Sequence, residues 1–106
     1  MAASQPPTEP GALPAIDAPV TLGAQIEARA EHPAYGHRTF LVQDERTWTY
    51  ARYRDECVRL AHFLAGRIDA SGPGRVAMML ENHLELLALL GACGYGGHTL
   101  FGVNTG

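Results

Sequence analysis

The chain has 106 residues, which allows one folded domain at most. Hydrophobic residues make up 46% of it, as in an ordinary globular protein, and the formal net charge is -3. All 8 basic residues are arginines scattered among acids, so no basic stripe points to nucleic-acid binding. No apolar run reaches the roughly 18 residues that a membrane span needs.

The first twenty residues contain five prolines among alanine, glycine and acids, a composition that cannot sustain a helix or a strand ladder. We therefore divide the chain into a flexible leader over residues 1–20 and a folded part over residues 21–106. Thr21 is expected to cap a helix that runs to about Glu31. His32 should end it, because the residue before a proline is pushed out of the helical region.

A hairpin and a long helix are predicted next. Two β-prone runs, residues 39–42 and 47–49, flank a short polar turn. Thr49 then caps a helix whose charged face offers two ion pairs, Arg52–Glu56 and Asp55–Arg59. Its apolar positions share one helical face and are Tyr53, Cys57, Leu60, Ala61, Leu64 and Ile68.

The last third of the chain reads as strand, helix, strand. Residues 75–80 form a continuous apolar run, which suits a parallel strand buried on both faces. Asn82 as N-cap and Glu85 as N3 open a helix that its leucines should leave largely buried, and residues 98–103 predict a second strand. We expect an α/β fold with one right-handed parallel βαβ unit. Its sheet is incomplete, which indicates the opening part of a larger, truncated protein.

Glycines are crowded at the end of this helix, at Gly91, Gly94, Gly96 and Gly97. A phosphate loop needs glycines that lead into a helix N-terminus, where free N–H groups meet the anion. These glycines lie at the opposite end, where the helix dipole is negative. We interpret them as helix termination and as close packing of the helix against the sheet.

No other residues form a convincing reaction centre. The cysteines, Cys57 and Cys93, lie in apolar helical contexts and are expected to be reduced core thiols of a cytoplasmic protein, with a disulfide as the weaker alternative. Ser4 and Ser71 lie in the leader and in a turn. The histidines, which show no metal-ligand spacing, are His32, His37, His62, His83 and His98. The sequence thus offers no catalytic, cofactor-binding or metal-binding residue.

A series of short motifs along residues 21–106 resembles the start of the adenylate-forming enzymes, the superfamily of AMP-binding acyl-CoA synthetases and adenylation domains. Each motif is weak alone, and the resemblance lies in their order. They are Thr49-Tyr50, Arg59-Leu60-Ala61, Gly74-Arg75-Val76-Ala77 without the family's usual Asp, Asn82-His83-Leu84-Glu85-Leu86, and then Gly97, residues 100–103 and Asn104.

Two departures from the common pattern bear on the subclass. The family often has Leu-Pro-Asn before the helix, whereas this chain has Leu80-Glu81-Asn82. It often has Pro-x-Asn-Pro after the strand, whereas this chain has Gly102-Val103-Asn104-Thr105. Both versions are similar to those of the long-chain fatty acyl-CoA ligase and fatty-acid transport type.

The resemblance implies a two-step ligase that uses ATP, Mg²⁺ and coenzyme A. A carboxylic acid, expected to be a fatty acid, forms an acyl-adenylate with ATP, and the coenzyme A thiol then displaces AMP. In the family the phosphate loop, the nucleotide-holding residues and the mobile lysine lie further along the chain. We therefore expect this segment to bind no cofactor itself, to be inactive alone, and to pack against the remainder of the ligase domain.

Two other functions stay open at this point. The chain could be a small non-catalytic α/β interaction module, which would require cooperative unfolding and a covered last strand. It could also be a fragment of another adenylate-forming enzyme, such as a peptide-synthetase adenylation domain. A complete small nucleotide-binding enzyme would need a phosphate loop, which the sequence lacks.

Overall fold

The computed structural model of the chain describes residues 13–17, 20–68, 74–79 and 83–102. The elements in these ranges are α1 (Leu22–Glu31), β1 (Thr39–Gln43), β2 (Arg46–Thr49), α2 (Tyr50–Ala65), β3 (Arg75–Met78), α3 (Leu84–Gly96) and β4 (Thr99–Gly102). β1 and β2 pair antiparallel, whereas β3 and β4 pair parallel. The mixed α/β class, the hairpin, the parallel pair and the incomplete sheet are confirmed, and the handedness of the crossover stays a prediction.

Two threonines start the first two helices where the sequence places them. Thr21 Oγ1 accepts a hydrogen bond from the Ala24 N–H at 3.2 Å, and Thr49 Oγ1 accepts one from the Arg52 N–H at 3.0 Å. Such caps stabilise a helix by about 1 kcal/mol each. α1 ends before His32, whose ψ of 129° is extended, as expected for a residue ahead of a proline.

The hairpin turns sharply at Asp44, which has a φ of 54°. This left-handed conformation is tolerated by aspartate better than by most residues, because its short polar side chain can hydrogen-bond locally. In the register of the hairpin Leu41 lies opposite Trp48, and Trp48 is only 4% exposed. The hairpin therefore delivers a tryptophan into the core between the helices.

The core consists of two clusters that share Leu60 as a flanking residue. The first cluster contains Ile26, Trp48, Tyr53, Cys57, Leu84 and Ala88, from α1, β2, α2 and α3. The second contains Leu64, Ala92 and Cys93, and the strand residues Val76 and Leu100 pack against it. The helices thus lie between the hairpin and one face of the parallel strands.

The predicted packing of α3 against the sheet is confirmed for its small residues Ala92 and Cys93, which lie against Val76 and Leu100. Two glycines of α3 instead permit close contacts between helices. A Cβ atom built at Gly91 would overlap Cys57 Sγ and lie 2.9 Å from the Tyr53 hydroxyl, both on α2. A Cβ atom at Gly94 would lie 2.8 Å from a methyl carbon of Leu22 on α1. These two glycines therefore lie on the side of α3 that faces α1 and α2, and not on the side that faces the strands.

Burial on both faces of the first parallel strand is also not observed. Val76 and Met78 are half-buried, whereas Ala77 between them is exposed. On α3, Leu87 and Leu90 are 37% and 45% exposed, so this helix is less buried than its leucines predict. Within the described residues, the helices cover one face of the strands and leave the other open.

Element boundaries differ from the predicted ones at two helices. α3 begins at Leu84 with His83 at its N-cap position, and the predicted cap Asn82 lies outside the described residues. The Gln43 side chain of β1 accepts a hydrogen bond from the Leu84 N–H at 3.3 Å. The cap of α3 therefore comes from another element. α2 ends at Ala65, so Ile68 lies beyond the helix, although it packs against the second cluster as an apolar residue should.

One of the two predicted ion pairs on α2 is confirmed. Arg52 Nε lies 3.1 Å from Glu56 Oε2. The predicted Asp55–Arg59 pair does not form. Arg59 contacts Glu56 instead, and Asp55 accepts a 2.7 Å hydrogen bond from Arg54. Glu56 is less exposed than Asp55 and already holds one arginine, so the second arginine joins the same carboxylate.

Part of the proposed leader lies against the folded part of the chain. The Tyr35 hydroxyl donates a 2.7 Å hydrogen bond to the carbonyl of Pro14. Leu13, Pro14 and Ile16 are half-buried. The division at residue 20 stays a prediction.

Replacing Gly91 by alanine should lower the free energy of unfolding by about 1–3 kcal/mol, because the added methyl group collides with Cys57 and Tyr53. Gly66→Ala is the matched control. Its φ of -78° suits alanine, and a Cβ atom there would meet its nearest neighbour at 3.6 Å. Urea unfolding followed by circular dichroism measures both variants, and equal midpoints would contradict this account of α2–α3 packing.

Candidate functional site

Two histidines hold backbone turns. His32 Nδ1 accepts the Ala34 N–H at 3.0 Å, and His98 Nδ1 accepts the Gly74 N–H at 2.9 Å, which joins β4 to the start of β3. Within the described ranges no group of three or more His, Cys, Asp or Glu side chains could hold a metal ion. The remaining histidines are exposed and are His37, His62 and His83.

Both cysteines are buried free thiols, as predicted. Burial raises the pKa of the Cys57 thiol to about 11, and it also raises the pKa of Cys93. A thiolate, not a thiol, is the nucleophile and metal ligand. At neutral pH both groups therefore remain protonated core side chains.

The glycine-rich end of α3 closes the helix, as predicted. Gly97 has a φ of 69°, the left-handed conformation typical of a helix C-terminus, and its N–H donates to the Cys93 carbonyl. The N–H of His98 donates to the same carbonyl at 2.9 Å. Carbonyl groups and the negative end of the dipole repel phosphate, so this end of α3 is no nucleotide site.

An ion-pair band links the hairpin to both longer helices across Trp48. The Arg46 guanidinium of β2 forms two hydrogen bonds with the Glu85 carboxylate of α3. The guanidinium carbons of Arg46 and Arg52 lie 5.7 and 5.4 Å from the centre of the Trp48 ring, and Arg52 also pairs with Glu56. This band fixes the tryptophan between charged groups and has a structural role.

A pocket of about 390 Å³ opens between α1, β1, α2 and α3. We call it the α1–α3 pocket. Its walls are almost entirely apolar, and its volume lies in the range of small-molecule sites, about 300–1,000 Å³. Its lining residues are Leu22, Gln25, Ile26, Arg29, Phe40, Leu41, Tyr50, Tyr53, Leu87 and Leu90.

Sequence patterns did not reveal the pocket, since its lining comes from four elements that are far apart along the chain.

Sequence patterns also missed a polar contact that joins three helices. The Tyr95 hydroxyl donates to Glu27 Oε1 at 2.7 Å, while Arg54 Nη1 donates to Glu27 Oε2 at 3.1 Å. Burial, together with the Glu27 carboxylate, raises the pKa of Tyr95 above its usual range. Only the tertiary structure brings these three side chains together.

The elements define an α/β protein in which a hairpin and an amphipathic helix precede a parallel strand–helix–strand unit. A protein-family model described as AMP-binding enzyme matches residues 26–106, and the chain belongs to this family of adenylate-forming enzymes. No curated protein and no solved structure matches the chain.

The short motifs of the resemblance have structural roles in this fold. Thr49 ends the hairpin and caps α2, and Leu60 packs against both core clusters. Gly74 directly precedes β3, and a side chain there would collide with Ile68. Asn104 lies outside the described residues. The described motifs thus have structural roles in helix capping, core packing and the approach to a strand.

The Arg46–Glu85 pair should make stability depend on pH. Hydrogen bonding from Arg46 lowers the pKa of Glu85 from 4.5 to about 2 in the folded chain. The resulting stabilisation is present above pH 4.5 and is lost as the pH falls through about 2. Glu85→Gln should therefore lower the free energy of unfolding at pH 7 and lose this effect near pH 2.

Urea unfolding at several pH values measures this difference, and added salt should reduce it because both side chains are about half exposed. Glu45→Gln is the matched control, since Glu45 is exposed on the hairpin turn and forms no ion pair with another described residue. A pH-independent difference between Glu85→Gln and the unmodified chain would contradict the prediction.

Proposed function

We propose that the chain is the N-terminal segment of an ATP-dependent acid–CoA ligase of the cytoplasm whose substrate is a fatty acid. Membership in the AMP-binding enzyme family supports the adenylate-forming class. The Glu81-Asn82 and Asn104-Thr105 versions of the motifs, similar to those of long-chain fatty acyl-CoA ligases, support the acyl substrate and coenzyme A.

In the proposed reaction a carboxylate oxygen attacks the α-phosphorus of ATP, and pyrophosphate leaves. The coenzyme A thiolate then attacks the carbonyl carbon of the acyl-adenylate, and AMP leaves with its bonding electrons. We assign neither step to a residue of this segment, whose described part contains no group of three or more His, Cys, Asp or Glu side chains that could hold a metal ion.

The N-termini of the described helices support this proposal. Phosphate binds a helix N-terminus through free backbone N–H groups. Side chains of Thr21 and Thr49 already accept N–H groups of α1 and α2, and Gln43 accepts the first N–H of α3. The carboxylate of Glu85 in the first turn of α3 would repel a phosphate as well. We infer that the segment is a scaffold and is inactive alone.

The main structural support for the proposal is the open face of the β3–β4 pair. In the parallel register Ala77 lies opposite Phe101, and both are exposed, with Phe101 48% accessible. Val76 and Leu100 point the other way, into the second core cluster. Parallel strands in α/β proteins are normally covered on both faces. We assign the uncovered face to the remainder of the ligase domain.

Purified alone, the 106-residue chain should show no ATP–pyrophosphate exchange, whereas the full gene product should exchange and should release AMP only when a fatty acid and coenzyme A are both present. Exchange by the chain alone would contradict the scaffold role. Exchange that responds to amino acids and not to coenzyme A would identify an adenylation domain instead. A full gene product without exchange would favour a non-catalytic interaction module.

Phe101→Asp should barely change the stability of the chain alone, within about 0.5 kcal/mol, because the side chain is exposed there. In the full gene product the same change should lower the melting temperature, since it places a charge in a buried contact. Leu100→Asp is the control and should destabilise both proteins, because Leu100 packs in the core. Equal effects of Phe101→Asp on both proteins would rule out this docking face.

A further inference from the structure

The α1–α3 pocket lies apart from the parallel strands, since none of its lining residues belongs to β3 or β4. Its base contains the buried side chains of Ile26 and Tyr53. Leucine and phenylalanine side chains that are 37–45% exposed surround its mouth, and they are Leu22, Phe40, Leu87 and Leu90. An apolar ligand would remove this surface from water, which is favourable in proportion to the apolar area buried.

An aromatic platform forms one wall of the pocket. The rings of Phe40 and Tyr50 stack with centroids 4.4 Å apart and planes inclined by 25°. Tyr53 lies 5.3 Å from Phe40 and holds its place by donating a 2.7 Å hydrogen bond to the Leu87 carbonyl. Because Phe40 is 42% exposed, its ring offers surface against which a flat ligand can stack.

A single positive charge stands beside this platform. Among the ten residues that line the pocket, Arg29 is the only charged one. In the described part of the chain its hydrogen bonds both run from Nη1 to Gln25, its guanidinium carbon lies 5.9 Å from the centre of the Tyr35 ring, and no carboxylate lies within ion-pair distance of it. Its Nε and Nη2 atoms carry three further N–H groups, which suit an anionic group of a ligand.

We propose that the α1–α3 pocket binds an organic anion with an aromatic body. The aromatic part occupies the apolar space beside Phe40 and between the leucines, and the anionic group pairs with Arg29. The site is independent of the proposed ligase reaction. It is formed entirely by described residues of this chain.

Titration of the isotope-labelled 106-residue chain with naphthalene-2-sulfonate tests the proposal. The probe should cause saturable NMR shifts at the methyl groups of Leu22, Leu87 and Leu90. Arg29→Gln should weaken binding roughly tenfold by removing a charge-assisted hydrogen bond. Arg67→Gln is the matched control, because Arg67 lies 4.6 Å from the exposed Phe63 ring but outside the pocket, and it should change nothing.

A second pair of variants separates charge from packing. Leu90→Glu and Leu90→Gln remove the same apolar contact, so both should weaken binding of neutral 2-naphthalenemethanol alike. Leu90→Glu should weaken binding of naphthalene-2-sulfonate more than Leu90→Gln does, because it adds repulsion between two negative charges. Absence of saturation, equal affinity for the neutral compound, or an equal effect of Arg67→Gln would overturn the proposal. Binding by the chain but not by the full gene product would also overturn it, because the rest of that protein would then fill the pocket.

Discussion

Gly91 lets α3 approach α2 so closely that the Cys57 thiol and the Tyr53 hydroxyl occupy the space where a side chain would stand. The other elements depend on this contact. Tyr53 reaches the Leu87 carbonyl, and the hairpin inserts Trp48 beside the same helices. Both core clusters contain residues of α2 and α3, and Gly91 lies on α3 between Ala88 of the first cluster and Ala92 of the second.

That arrangement explains why the family is recognisable from short motifs in this part of the chain. The family's short motifs lie at a helix cap, at a core leucine and at a strand start, positions where backbone geometry restricts the choice of residue. Thr49 accepts an N–H of α2, and Gly74 leaves room for Ile68. Such positions identify a scaffold. Phe101, by contrast, lies on the open face of that scaffold, where we propose that the remainder of the ligase domain packs.

Local patterns predicted the elements well but not their surroundings. The caps at Thr21 and Thr49 and the glycine closure at Gly97 depend on neighbours within a few residues, so the sequence contains their causes. The partner of Gly91 could not be predicted, because it lies on another helix. The prediction that Leu87 is buried is wrong for a related reason. Hydrophobicity indicates which residues favour burial, but not whether another element covers them.

The sequence by itself determined the order and type of the elements, the buried thiols and the resemblance to adenylate-forming enzymes, because each rests on local spacing or on a series of motifs. Only the tertiary structure decided which helix the glycines contact, which strand face stays open and that a pocket forms beside Arg29. These features join residues that are distant along the chain. Their contacts depend on how whole elements pack, and no local pattern encodes that packing.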